Sequence, residues 1–157
     1  ELTDVNVIAG TPAFLAPEAI TAPDQVGPAS DLYALGAVGY FLLTGEHVFA
    51  GATVVEVCSH HVHSLPAPPS ERLGRALPSG LERLILDCLE KQPADRPASA
   101  RALLDALDEL PERDGWRVAD AEAWWAEAEA SLTSGLREKP TGIASTMQVD
   151  LTQRANV

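Results

Sequence analysis

Ser30-Asp31-Leu32-Tyr33-Ala34-Leu35-Gly36-Ala37-Val38-Gly39-Tyr40-Phe41-Leu42-Leu43-Thr44-Gly45 is the stretch around which the chain is organised. It is apolar on every side, so a helix made from it is expected to be buried all round. Ser30 is placed to cap its N-terminus, and Asp31 falls in the first turn, where negative charge is favoured. Gly45 is placed to close the other end in the left-handed conformation. The run is well short of the roughly twenty apolar residues that cross a bilayer. A carboxylate at the mouth of a buried helix needs a partner, because an unpaired buried charge is costly. Asp31 is therefore a candidate functional residue.

The 157 residues suffice for one domain with a core of its own and some excess. Acidic residues outnumber basic ones 23 to 11, for a formal net charge of −12. That balance excludes a nucleic-acid surface, whose affinity rests on Lys and Arg at phosphates. Cys58 and Cys88 lie in apolar helical contexts and read as small core residues in a reducing compartment. Neither a signal peptide nor a membrane span is visible. The first residue is Glu1, so the chain reads as a fragment whose start lies upstream.

Outward from the central stretch, residues 1–10 show no period and read as loop. Gly10-Thr11-Pro12-Ala13-Phe14-Leu15-Ala16-Pro17-Glu18 follows, a shaped loop stiffened by two prolines and ending in a carboxylate. A short helical turn is expected around Ala19-Ile20. Beyond Gly45 the pattern is one of short amphipathic helices. Thr53-Val54-Val55-Glu56 is a capping box opening a helix to about His61. Leu65-Pro66-Ala67-Pro68-Pro69 is a stiff connector. Ser79-Gly80-Leu81-Glu82 reads as a second capping box, before Leu81, Leu84, Ile85, Cys88 and Leu89 at helical spacing. Lys91-Gln92-Pro93-Ala94-Asp95-Arg96-Pro97 breaks that helix. Ser99 caps the next, with Leu103, Leu104, Leu107 and Leu110 on one face.

Three of these segments carry a family resemblance. Gly10-Thr11-Pro12 with Ala16-Pro17-Glu18 resembles the end of a protein-kinase activation segment, where an Ala-Pro-Glu motif stands. Asp31-Leu32-Tyr33-Ala34-Leu35-Gly36 resembles the start of the central helix of the kinase C-lobe. Asp95-Arg96-Pro97-Ala98-Ser99-Ala100 resembles the arginine segment near that lobe's end. Order and spacing also match, over about residues 1–110, in the style of bacterial serine/threonine kinases. The implied fold is mainly α: the helical C-lobe portion of a kinase-like fold, lacking the β-rich N-lobe and the catalytic loop. Tyr33 stands where tryptophan is commonest, and Phe14-Leu15 where Tyr-Met is frequent; both keep bulk and shape.

By the same resemblance, Glu18 and Arg96 form a buried ion pair joining the activation segment to the helices; two unrelated surface charges are the alternative. Asp31 accepts hydrogen bonds from the catalytic-loop backbone, unless it is a plain helix-capping carboxylate. Thr11 contacts the catalytic loop and marks serine/threonine specificity, the alternative being a turn threonine bonding its own backbone. Pro12, Ala13, Phe14 and Leu15 form the pocket wall that receives the substrate residue after the phosphorylated Ser/Thr. Val38 and Leu42 fall where kinases support the stack beneath the adenine ring. Thr3 and Thr11 are candidate phosphorylation sites, although no basic cluster awaits a phosphate at Thr3.

The glycine-rich loop, lysine strand, His-Arg-Asp loop and Asp-Phe-Gly segment are absent from these residues, so the fragment is expected to be inactive alone. The intact kinase would use ATP and Mg to phosphorylate Ser/Thr of protein substrates, with its N-terminal half as partner. Its location is expected to be cytoplasmic, with any membrane anchor beyond the ends seen here. No nucleic-acid partner or metal site is expected. The other reading is a non-catalytic, pseudokinase-like helical interaction module. The division is 1–112 for the partial lobe, 113–134 for a helical extension and 135–157 for a polar tail or linker. His60-His61-Val62-His63 reads as a solvated helix end. Trp116, Trp124 and Trp125 read as packing the extension on the lobe, a free partner-binding helix being the alternative.

Overall fold

A computed structural model of the chain describes residues 7–111, 118–135 and 147–150. Strand β1 (Val7–Gly10) leads into a 3-10 turn (Pro12–Phe14), helix α1 (Pro17–Thr21), a second 3-10 turn (Pro23–Gln25) and the long helix α2 (Pro28–Thr44). Helices α3 (Val54–His63), α4 (Pro69–Leu73) and α5 (Ser79–Cys88) follow. A 3-10 turn (Pro93–Asp95) precedes α6 (Ala100–Asp108), and then come α7 (Val118–Gly135) and β2 (Met147–Asp150). The fold is mainly α, as expected.

The strands are a departure from that expectation. β1, read as loop, pairs antiparallel with β2, Val7 opposite Asp150 and Gly10 opposite Met147. Four residues are too few to show alternation, and partners this far apart in the chain share no turn that would announce them. β2 falls within the stretch read as tail or linker. Thr3, Trp116 and most of that stretch lie outside the described residues.

Helix α2 begins two residues before Ser30. Gly27 is its N-cap and Pro28 its first residue, where a missing N–H leaves nothing unpaired. Ser30 is therefore in the first turn, and its Oγ accepts a hydrogen bond from the Gly27 N–H at 3.2 Å. Gly45 closes the helix with φ 74°. The helix is not buried all round. Tyr33, Ala37 and Tyr40 are fully enclosed, whereas Leu35, Val38, Phe41 and Leu42 lie at the surface, Leu42 with 76% exposure. An all-apolar composition shows that every face wants cover; it does not show which faces this chain covers.

Helix α5 lies along α2, so closely at Gly36 that an added Cβ would stand 2.6 Å from Cβ of Cys88. Tyr33, Tyr40, Val48, Phe49, Ile85 and Leu89 anchor the main core. Leu32, Cys88 and Leu103 form a second cluster linking α2, α5 and α6. Cys58 and Cys88 are free thiols, and burial first, with Asp87 adding to it, pushes the Cys88 thiol up to about 11.

Two predicted caps form as expected: Thr53 Oγ1 accepts from the Glu56 N–H at 3.2 Å, and Ser99 Oγ from the Ala102 N–H at 3.1 Å. The Ser79/Glu82 box does not. Ser79 is already helical behind Pro78, and the Glu82 carboxylate accepts instead from the Ser70 N–H, at 2.6 Å. The connector continues into α4 from Pro69, again a proline at a first helical position. Leu104 faces solvent rather than the leucine face of α6. On α7, Trp124 and Trp125 are 47% and 60% exposed and stack edge-to-face on each other, 4.9 Å between centroids, rather than packing into the lobe.

Candidate functional site

The loop from Thr11 to Glu18 is shaped by its prolines. Pro12 opens the 3-10 turn, closed by the Phe14 N–H donating to the Thr11 carbonyl at 3.0 Å. Pro17 opens α1, which places Glu18 in a first turn where its charge is favoured. Pro12 and Ala13 are buried, while Phe14 and Leu15 are half-buried. The Phe14 ring meets the His47 ring edge-on at 5.3 Å. Thr11 is half-buried at the mouth of the turn, and its side chain makes no capping bond there.

The structure brings Glu18 and Arg96 together. Arg96 Nη1 and Nη2 donate to Glu18 Oε1 and Oε2 at 2.7 and 2.8 Å, with side-chain exposures of 0% for Arg96 and 6% for Glu18. The remaining guanidinium N–H groups donate to the carbonyls of Glu90 at 2.8 Å, Ala29 at 2.8 Å and Lys91 at 3.1 Å. All five donors of the side chain are thus engaged. Ser30 Oγ donates to Glu18 Oε1 at 2.6 Å, so the carboxylate also holds the first turn of α2. Burial by itself would raise the Glu18 carboxyl. The bonds from Arg96 and Ser30, its own backbone N–H and the Arg96 charge outweigh burial and hold it below the usual range. The pair ties the loop's end to α2 and to the segment before α6. A bidentate fork, fully hydrogen-bonded, meets the condition under which a buried pair is tolerated.

Behind the pair lies a layer that sequence patterning missed. The Arg96 guanidinium sits 4.9 Å from the Tyr33 ring centroid, and the Tyr33 hydroxyl lies 2.8 Å from His61 Nδ1. Far from being solvated, His61 has no exposed surface. Its carbonyl accepts from Lys91 Nζ at 2.9 Å, and that ammonium stands 4.6 Å from the Phe49 ring centroid. Burial, with the charge of Lys91 next, pushes the His61 pKa down to about 4, so the ring is neutral at neutral pH. The signal was present in the spacing: His61 follows the buried Val57 by four residues, one helical turn on the same face. Ser30 is the other residue whose part was missed, because a serine ahead of an apolar run reads first as a cap.

Asp31 is exposed in the first turn of α2, with no hydrogen-bond or ion-pair partner among the described residues. The apolar stripe of Leu35, Val38 and Leu42 runs along the same helix. Among the described residues no three His, Cys, Asp or Glu side chains converge as metal ligands. No described helix is long and apolar enough to cross a membrane.

Comparison with known proteins agrees with this geometry. The family profile described as "Protein kinase domain" matches residues 1–106. The serine/threonine-protein kinase pkn3 of Myxococcus xanthus is 40% identical over 111 residues, covering 68% of this chain and 20% of that protein. Pkn1 of the same organism is 39% identical over 106 residues, 67% of this chain and 15% of the relative. PknB of Mycobacterium tuberculosis is 38% identical over 99 residues, 63% of this chain and 16% of the relative. The chain thus spans a fifth or less of the length of these relatives.

Proposed function

The chain belongs to the protein kinase family, and from that premise we propose that it is the acceptor-side part of a bacterial-type serine/threonine kinase that transfers the ATP γ-phosphate to Ser or Thr of protein substrates. The observation that carries this reading is the bidentate Glu18–Arg96 pair, which fixes the end of the Thr11–Glu18 loop to the helical core. Phosphoryl transfer is mostly a matter of positioning. In this reading Pro12 to Leu15 form the wall against which the acceptor seats, and Thr11 reaches toward the catalytic loop.

ATP and Mg are bound by residues outside the described part, and this chain's share of the reaction is to hold the acceptor. Asp31, exposed and unpartnered here, is the acceptor for backbone N–H groups of the catalytic loop. Leu35, Val38 and Leu42 are the floor on which the rest of the lobe sits, which accounts for so much apolar surface on the central helix. Thr3 and Thr11 are the candidate phosphorylation sites. The free thiols of Cys58 and Cys88 suit a reducing cytoplasm.

Incubating the intact protein with Mg-ATP and casein, followed by phosphoamino-acid analysis, tests this. Phosphoserine and phosphothreonine are expected, and the isolated chain should transfer nothing. An intact protein that binds partners but transfers no phosphate would instead support the interaction-module reading.

A further inference from the structure

Among the described residues three buried side-chain polar atoms have no hydrogen-bond partner, Tyr40 Oη, His47 Nδ1 and His61 Nε2, and the last lies on a helix packed against the loop. His61 Nδ1 takes the Tyr33 hydroxyl at 2.8 Å. Tyr33 keeps its phenolic proton, because burial in the first place pushes its pKa well above the ordinary value. The hydroxyl has no other acceptor among the described residues, so it donates to Nδ1, and the proton of the neutral imidazole belongs on Nε2. Nε2 is buried and makes no ordinary hydrogen bond. The Ala13 backbone favours a proton on the ring. Ala13 is the middle residue of the 3-10 turn in the Thr11–Leu15 wall, and α3 packs directly on that turn. A buried ring nitrogen without a partner, on a helix packed against this turn, calls for an explanation.

We propose that His61 is the positioning residue of the acceptor wall: its Nε2–H closes onto the Ala13 carbonyl when an acceptor segment seats against Pro12–Leu15. This rests on the reading of that loop as the acceptor site. Tyr33 fixes the tautomer, Phe49 holds the ring from its edge side at 5.1 Å, and Lys91 anchors the His61 backbone. Seating the acceptor thereby completes a bond that the free protein lacks, so acceptor affinity gains while the phosphate-donor side is untouched.

The test uses the intact protein with a casein-derived serine peptide and three variants: His61→Leu, His61→Gln and Tyr33→Phe. His61→Leu should raise the peptide KM about tenfold, the loss of roughly one hydrogen bond, while kcat and the KM for ATP stay within about twofold. His61→Gln, which keeps an N–H at similar reach, should recover much of that loss. A peptide KM equal to wild type, with only the folded fraction reduced, would overturn the proposal. Should His61→Leu fail to fold, Tyr33→Phe decides, since it frees the tautomer while keeping the ring; an unchanged peptide KM there is equally fatal. Nitrogen-15 NMR of the imidazole gives a readout independent of turnover: the Nε2–H form is expected, with its proton resonance moving downfield on peptide addition. An Nδ1–H form, or no movement under saturating peptide, contradicts the proposal. A wild type that transfers no phosphate to any acceptor, yet shows the NMR shift, refutes the kinase reading and leaves the His61 contact standing.

Discussion

Arg96 and Glu18 meet through two parallel hydrogen bonds of 2.7 and 2.8 Å in a setting where neither side chain is more than 6% exposed. A pair so placed is weak evidence of extra stability, because desolvating two charges offsets most of their attraction. Its asymmetry is what matters. Loss of one partner leaves the other charge buried and uncompensated, at a cost of about 3–5 kcal/mol. Arg96→Ala and Glu18→Ala in the intact protein should therefore each lower Tm steeply. Arg96→Lys should fall short of rescue, since an ammonium cannot reproduce the fork or reach all the carbonyls that Arg96 bonds. A Tm within a degree or two of wild type in Arg96→Ala would remove the pair from the account.

Acid should destabilise the protein in two stages. His61 titrates near 4 when folded against an ordinary 6.5. Between those values the unfolded chain takes up a proton that the native ring refuses, so stability falls as pH drops from 6.5 toward 4. Glu18 sits below its ordinary 4.5 when folded. Its contribution is fully present above that value and is lost as pH falls through the folded pKa. Thermal melts across this range should show Tm declining from about pH 6.5, with the upper part of the decline flattened in His61→Gln. A Tm that rises on acidification from 6.5 to 4.5 contradicts the His61 sign, and one that rises as pH falls further below 4.5 contradicts that of Glu18.

The contact of α2 with α5 predicts a small substitution with a large effect. Gly36→Ala puts a Cβ 2.6 Å from Cβ of Cys88 and 3.3 Å from the Ile85 carbonyl oxygen. Neither neighbour is the free end of a flexible chain, so the helices must move apart. Overpacking of this kind costs about 1–3 kcal/mol, against the slight gain alanine brings to a helix interior. Chemical denaturation should show a lower midpoint with an unchanged slope. A midpoint at or above that of wild type would mean that the helices are not this close.

The exposed stripe on α2 separates the behaviour of the chain from that of the intact protein. Leu42→Glu changes a residue that is 76% exposed, so in the isolated chain its effect should stay within about 0.5 kcal/mol. In the intact protein the same change should lower Tm by several degrees, because the stripe is then covered and the charge buried. Equal and small effects in both would mean that nothing sits on this face.

Much of this arrangement was legible in the residues. The Thr53 and Ser99 caps and the left-handed Gly45 follow from local chemistry, and each lies where capping places it. Glu18 and Arg96 were paired through motif resemblance alone, since nothing local joins positions so far apart. What escaped depended on tertiary neighbours. Glu82 satisfies the Ser70 backbone rather than its own helix end. β1 finds its partner near the far end of the chain. His61, placed by appearance in a wet His-rich run, is turned inward by the helix period toward Tyr33. Periodicity was the better guide there, and residue type misled.

Substitution of Thr11 in the intact protein tests the central claim most directly, that the Thr11–Leu15 loop is the acceptor side of a serine/threonine kinase. Phosphate transfer to casein would be compared for wild type, Thr11→Ser and Thr11→Ala. Transfer to Ser and Thr by wild type, near-normal rates in Thr11→Ser, and a kcat lower by about tenfold or more in Thr11→Ala are predicted, the loss expected when a positioning group beside the reacting atoms is removed. Full-rate transfer by Thr11→Ala, with the protein folded and its Tm unchanged, would contradict it.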